Sequence, residues 1–355
     1  MNILFDPIQI GDIELPNRIV MAPLTRCRAS AGRVPNKLMA EYYSQRASAG
    51  LIISEATSVC PQGVGYPDTP GIWSQAQIDG WRGVTDAVHA AGGRILLQLW
   101  HVGRISDPYY LNDELPVAPS AIAAKGHVSL LRPMRDFVTP RALELDEIPA
   151  VTETFRQGAA NAKQAGFDGV EIHAANGYLL DQFLQDSSNR REDAYGGPVE
   201  NRARLLLEVA DAVISVWGAG RVGVHLAPRC DMHSMGDSDP LASFGYVAEQ
   251  LGQRNVAFIF TREAQGADAI SPALKRRFGG VLIANENFSA DIAQQAIARG
   301  DADAVSFGKH FIANPDLPRR LRIGAPMTPF DASTFYLYDD EGPSRGYTDY
   351  PFLDN

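Results

Sequence analysis

Cysteine is scarce in this chain, at three in 355 residues, and Cys27, Cys60 and Cys230 stand far apart. That spacing excludes a disulfide framework, a C-x-x-C pair and the four neighbouring thiolates of an iron–sulfur cluster, and a reducing, cytoplasmic setting is the expectation. Long apolar runs are missing too. Met1 to Val20 alternates apolar residues with Asp6, Gln9, Asp12, Glu14 and Asn17, unlike a secretion signal, and nothing downstream reaches transmembrane length, so no membrane partner is expected. There is no basic run, and the formal net charge is -10. Nucleic-acid binding draws on a cationic face that releases counterions, so that partner class is not expected either. The G-x-G-x-x-G fingerprint of a resident dinucleotide does not occur.

What the chain does have is a regular alternation. Eight apolar, β-branched runs of strand length occur at Arg18 to Leu24, Leu51 to Val59, Arg94 to His101, Gly169 to Ala174, Val222 to Ala227, Val256 to Thr261, Gly280 to Ala284 and Ala304 to Gly308. Segments of helical period lie between several of them: Gln75 to Ala91, Ile148 to Ala165, Val199 to Val216 and Ala290 to Ala298. Glycines at Gly92-Gly93, Gly166 and Gly300 fall where helices should end. Eight strands alternating with helices predict an α/β fold, a (β/α)8 TIM barrel. Ile8 to Ile13 reads as an N-terminal hairpin that plugs one end. A long loop after the third strand, Val102 to Glu147, and another at Arg229 to Ala242 leave the C-terminal ends of strands. Those ends form the active-site face of such barrels, so these loops read as lids and walls. The tail from Tyr336 to Asn355 is expected to wrap back over the barrel.

The densest chemistry is His173-Ala174-Ala175-Asn176-Gly177-Tyr178, where the fourth strand meets its loop. Alternation turns Glu171 and His173 to the barrel interior, with His173 at the rim. His173 and Asn176 can converge on one substrate oxygen, polarise a carbonyl or nitro group and stabilise the enolate-like charge that forms when hydride arrives at the β-carbon. Tyr178 suits proton donation. Loops attract such residues whatever their use, so the trio also reads as ordinary loop polars. Glu171 with His173 is the only close pair of metal-ligand type, and no metal is expected. Glu171 is read as a buried, paired carboxylate.

The chain resembles the old yellow enzyme family of FMN-dependent ene-reductases, nearly end to end. The resemblance rests on Leu4 to Pro7, Asn17 to Arg26, Ile53 to Thr57, Gly71-Ile72-Trp73, Gln98 to His101, the His173 motif, Tyr195-Gly196-Gly197 with Asn201-Arg202, Phe307-Gly308-Lys309, Asn314 to Leu317 and Gly346 to Pro351. It implies a single FMN-binding TIM-barrel domain over residues 1–355, present as a monomer or homodimer. Its implied activity is ping-pong reduction by NADPH or NADH of enones, enals, maleimides, nitroalkenes and nitrate esters.

The resemblance also implies residue roles. Catalytic residues would be His173, Asn176 and Tyr178. Thr25 would donate to flavin O4, with Pro23, Leu24 and Ala56 lining the ring near N5 and C4. Gln98 would both donate to and accept from the pyrimidine edge. Asn285 to Asn287 and Gly308-Lys309, beyond strands seven and eight, would meet the phosphate. Tyr66, Trp100 and Tyr347 would wall the substrate beside His173 and Asn176; each aromatic also reads as rim packing. Threonine at 25, where another subclass has cysteine, leaves Cys27 an inert small residue.

Three residues depart from the family pattern. His225 stands where an arginine usually meets flavin N1 and O2, exchanging a permanent cation for a titratable one. An anionic reduced flavin is expected to favour its protonation, which would steepen the pH dependence of the flavin potential. Lys309 replaces an arginine at the phosphate, and Glu286 replaces a glycine, so its carboxylate must point away. A flavin-binding barrel with lapsed or altered catalysis, and a flavin-free barrel hydrolase or lyase, stay open as alternatives at this point.

Overall fold

In a computed structural model describing residues 3–353, the eight runs pair in parallel and close into a ring. The strands are β1 (Ile19–Met21), β2 (Leu51–Ile53), β3 (Ile95–Trp100), β4 (Gly169–Ala174), β5 (Val222–Leu226), β6 (Phe258–Arg262), β7 (Val281–Asn285) and β8 (Ala304–Phe307). Sequence neighbours are sheet neighbours, and β8 pairs with β1 to complete the circle. Each strand is followed by a helix: α1 (Lys37–Ser44), α2 (Gln75–Ala90), α3 (Ile148–Gln164), α4 (Arg204–Trp217), α5 (Pro240–Gln253), α6 (Ser271–Phe278), α7 (Ala290–Ala298) and α8 (Leu317–Ile323). This is the expected TIM barrel.

Several boundaries differ from the sequence expectation. The second run splits, because the Glu55 N–H leaves the ladder to donate to the Tyr43 hydroxyl at 2.8 Å, and pairing resumes only at Thr57–Ser58. The segment Val199 to Val216 breaks into Val199–Arg202 and α4. Helices α1, α5 and α6 lie outside the expected helical segments, yet each has a readable start: Asn36 caps α1, Asp239 caps α5, and proline opens both α5 and α6.

Inward residues pack in layers. Val20, Leu51, Leu96, Phe258, Phe260, Ile283 and Ala304 fill the barrel, and Ile10, Ile13 and Leu15 of the hairpin join them from the N-terminal end. The hairpin therefore stoppers that end, as its pattern predicts. Gly223 makes room in this layer, since a Cβ there would come within 2.1 Å of the Phe258 ring.

The tail does return to the barrel, bound to the first βα connection by buried arginines. Arg26 donates to Phe335 O at 3.0 Å and Gly346 O at 2.7 Å. Arg28 donates to Thr334 O at 2.9 Å, Leu337 O at 3.1 Å and Pro343 O at 3.1 Å. Among the described residues, no helix is long and apolar enough to cross a membrane, and no group of three or more ligand-type side chains could hold a metal ion.

Candidate active site

Alternation along β3, β4, β5 and β6 turns Gln98, Glu171, His173, His225 and Phe260 inward. Register sets Gln98 beside Glu171, His173 beside His225, and His225 beside Phe260. The lower layer is a polar chain: Gln98 Nε2 donates to Glu171 Oε2 at 2.6 Å and lies 3.1 Å from His225 Nδ1. Burial pushes the Glu171 carboxyl up to about 8, so it is protonated at neutral pH.

That chain assigns a tautomer to His225. An amide N–H directed at Nδ1 requires a lone pair there, which leaves the proton on Nε2, a buried nitrogen without a partner. Burial, reinforced by the charge of Arg262, lowers the His225 pKa to about 3. The expected titratable cation is therefore a neutral N–H donor in this structure. Gln98, with its amide hydrogens occupied, has its carbonyl oxygen left for a ligand, so of the two expected functions only accepting is open to it.

The upper layer is aromatic. His173 stacks on His225 at 5.2 Å between ring centres and 8° between planes, and Trp100 lies nearly parallel to it at 6.4 Å. Tyr178 meets His173 edge-on at 5.0 Å, and its hydroxyl is 2.9 Å from that of Tyr66. Burial foremost, then the nearby His225 and Arg262, hold His173 neutral, and its Nδ1 has no partner. Burial likewise keeps the Tyr178 phenol protonated, and pushes Tyr66 up to about 12.

Asn176 sits at φ 58° in the turn that follows β4. Its side-chain Oδ1 accepts from Arg262 Nη1 at 3.1 Å, and Arg262 Nε donates to Glu286 Oε2 at 2.6 Å. The Glu286 carboxylate thus points to Arg262, as its place in the sequence required. Glu286 has φ 101° and Asn287 φ 58°. Such backbone costs on the order of 1–3 kcal/mol for a residue other than glycine.

The remaining expected residues surround the same end of the barrel. Pro23, Leu24 and Thr25 follow β1 half-buried, Ala56 follows β2 buried, and Asn285 ends β7 with its amide donating to Ser306 Oγ at 2.9 Å. Gly308 and Lys309 follow β8; Lys309 is exposed, and its ammonium lies 5.8 Å from the Phe330 ring centre. Among the described residues no carboxylate pairs with it. Cys27 is buried, and burial with Glu55 nearby pushes its thiol up, which suits an inert residue.

Tyr347 is not brought to this place. It is fully buried, stacked on Tyr42 at 4.1 Å with planes 5° apart, and Arg26 covers it at 4.9 Å. The tail aromatic in electrostatic reach of Tyr66, Tyr178 and Arg262 is Tyr336, which the sequence reading missed. Arg262 was missed because the sixth run was ended at Thr261, before its first charge. Period-two alternation from Phe258 and Phe260 would have turned Arg262 to the rim.

These residues suit FMN. The orphaned His225 Nε2–H is a donor for an electron-rich pyrimidine edge, Gln98 keeps an acceptor for a ring N–H, and Lys309 is a cation free to meet phosphate. The sequence pattern of the NADH:flavin oxidoreductase / NADH oxidase family matches residues 3–327. The rice (Oryza sativa subsp. japonica) 12-oxophytodienoate reductase 1 is 44% identical over 363 residues, covering 99% of this chain and 93% of that protein. An old yellow enzyme homologue from Zymomonas mobilis superposes with a TM-score of 0.95 at 47% identity, covering 99% of each chain. Morphinone reductase in complex with tetrahydroNAD does so at 0.95 and 50% identity, covering 99% of this chain and 98% of that one. With barrel, rim chemistry and sequence in agreement over almost the whole length, the chain belongs to the NADH:flavin oxidoreductase / NADH oxidase family and is an FMN-dependent ene-reductase driven by a nicotinamide.

Proposed function

We propose that this enzyme reduces the activated double bonds of enones, enals, maleimides and nitroalkenes, and nitro or nitrate-ester compounds, in ping-pong fashion with NADPH or NADH in the cytoplasm. The observation that carries the reading is the meeting at the rim of neutral His173, Asn176 and a fully protonated Tyr178. The chemistry FMN supplies when bound is hydride transfer, from the nicotinamide and on to the β-carbon of the alkene.

The protein's residues do the rest. Thr25, Gln98 and His225 hold the ring, Pro23, Leu24 and Ala56 lie against it, and Asn285, Asn287, Gly308 and Lys309 take the phosphate. His173 and Asn176 donate to the substrate's carbonyl or nitro oxygen, and their aim at the developing negative charge lowers the barrier. Tyr178 delivers a proton to the α-carbon; its partner Tyr66, 2.9 Å away, holds the hydroxyl in place. Tyr66, Trp100 and Tyr336 offer flat apolar walls that suit a planar conjugated system.

A visible spectrum of the purified protein tests this, taken anaerobically before and after NADPH and again after 2-cyclohexenone. Flavin absorbance that bleaches with NADPH and returns with the enone is the expected result. Colour that bleaches but does not return overturns the substrate class. Protein that stays colourless and takes up no added FMN overturns the whole reading.

A further inference from the structure

Arg262 ends β6 two residues beyond the inward Phe260, and so faces the rim of the site from a strand to which the sequence reading assigned no function. It makes three directed contacts with neighbouring segments, one of them from Nη1 to Met232 Sδ at 2.9 Å in the loop after β5. Nη1 donates to Asn176 Oδ1 at 3.1 Å in the β4 loop, and Nε donates to Glu286 Oε2 at 2.6 Å in the turn after β7. The Asn176 main chain is held as well, its carbonyl lying 2.7 Å from His233 Nδ1.

A carboxamide has two nearly isosteric orientations, differing only in which of oxygen and NH2 faces a given neighbour. A guanidinium removes that ambiguity, because it has five N–H donors and no acceptor. The orientation with NH2 against it sets donors against donors. Arg262 is itself 30% exposed at its side chain, and a long exposed arginine samples many rotamers. Glu286 restrains it. The carboxylate occupies Nε, so Nη1 is kept directed at Asn176.

We propose that Arg262, clamped by Glu286, is a positioning residue that fixes the Asn176 carboxamide with its two N–H donors turned to the substrate oxygen. The proposal rests on the reading of Asn176 as a substrate-binding donor. It assigns to the residue that ends β6 and the residue that follows β7 a part in substrate recognition at a distance from the substrate itself. Glu286 keeps a left-handed backbone for this purpose, where glycine would adopt it freely.

The test uses the FMN-loaded oxidised enzyme and cyclohexanone, a carbonyl ligand with no double bond to reduce, its binding followed by the perturbation of flavin absorbance. Arg262→Met should weaken cyclohexanone at least tenfold, matching Asn176→Ala. The double variant should be no weaker than Asn176→Ala alone, because both changes remove the same donor. Glu286→Gln should lie between wild type and Arg262→Met, and Arg262→Lys, which keeps a donor for Oδ1, should recover part of the loss. In turnover with 2-cyclohexenone, Arg262→Met should raise KM together with a fall in kcat.

Losses that add in the double variant, or an Arg262→Met enzyme that binds cyclohexanone like wild type, overturn the proposal. Should Arg262→Met fail to retain FMN, Glu286→Gln and Arg262→Lys carry the test alone, and wild-type affinity in Glu286→Gln overturns it. Wild-type enzyme that never reoxidises with 2-cyclohexenone counts against the substrate reading instead. Cyclohexanone binding needs no turnover, so the two failures are told apart.

Discussion

Tyr178 shows how the site selects one protonation state for each of its groups. Burial holds the phenol protonated and the two stacked imidazoles neutral, so near neutral pH the site presents donors without net charge. Tyr178 meets His173 edge-on, which makes its hydroxyl the proposed proton donor to a substrate bound there. Replacing it with phenylalanine keeps the ring packing on Trp100 and His173 and removes the proton. The rate at which 2-cyclohexenone restores flavin colour should fall by about 10²-fold or more, the usual worth of a general acid. Bleaching by NADPH should stay within a few-fold of wild type. Stopped-flow absorbance measures both, and an equal loss in the two half-reactions would assign Tyr178 to binding instead of proton delivery.

Among the elements, the tail depends on side chains from far along the chain. Arg28 reaches three of its carbonyls, on Thr334, Leu337 and Pro343, and an acceptor left unpaired in a buried place costs about 1–3 kcal/mol. Arg28→Ala should therefore open the stretch around 334–347 locally without unfolding the barrel. Hydrogen exchange should show protection lost there alone, and KM for the enone should rise as Tyr336 loses its support. Protection lost evenly across the barrel would mean that the tail is not a separate unit. Barrel strands were legible in the sequence because burial on both faces makes apolar runs, the hairpin because its one buried face makes an apolar-polar alternation, and the His173 motif because its polar residues follow a strand run. Arg262 was hidden by its charge, which looks like the end of a strand. Tyr336 and Tyr347 lie in one aperiodic tail, and which of them faces the site depends on arginine contacts from residues some three hundred positions away.

For the whole molecule, six buried groups set the stability of the flavin-free protein against pH. Glu171, Glu55 and Asp181 are raised by burial to about 8, 7 and 7. His225 and His101 are lowered by burial to about 3 and 4, and His173 is lowered in the same sense. The folded state binds extra protons on the carboxyls between their ordinary pKa values and the raised ones, so their contribution falls as pH rises. The unfolded state binds extra protons on the histidines below 6.5, so theirs falls as pH falls. The opposed slopes offset one another from about pH 4.5 to 6.5, and each group contributes a slope of about 1.4 kcal/mol per pH unit. Stability should decline on both sides of that window, and on the alkaline side Glu171 dominates up to pH 8. Urea midpoints from pH 6.5 to 8 should flatten in Glu171→Gln, and unchanged slopes would show that its carboxyl is already ionised. The hairpin closes the opposite end of the barrel. Ile10, Ile13 and Leu15 seal the lower end against an inner layer already filled by Val20, Leu96, Phe258 and Ile283, so on the proposed reading electron donor and electron acceptor share the rim, each one's residence being the other's wait.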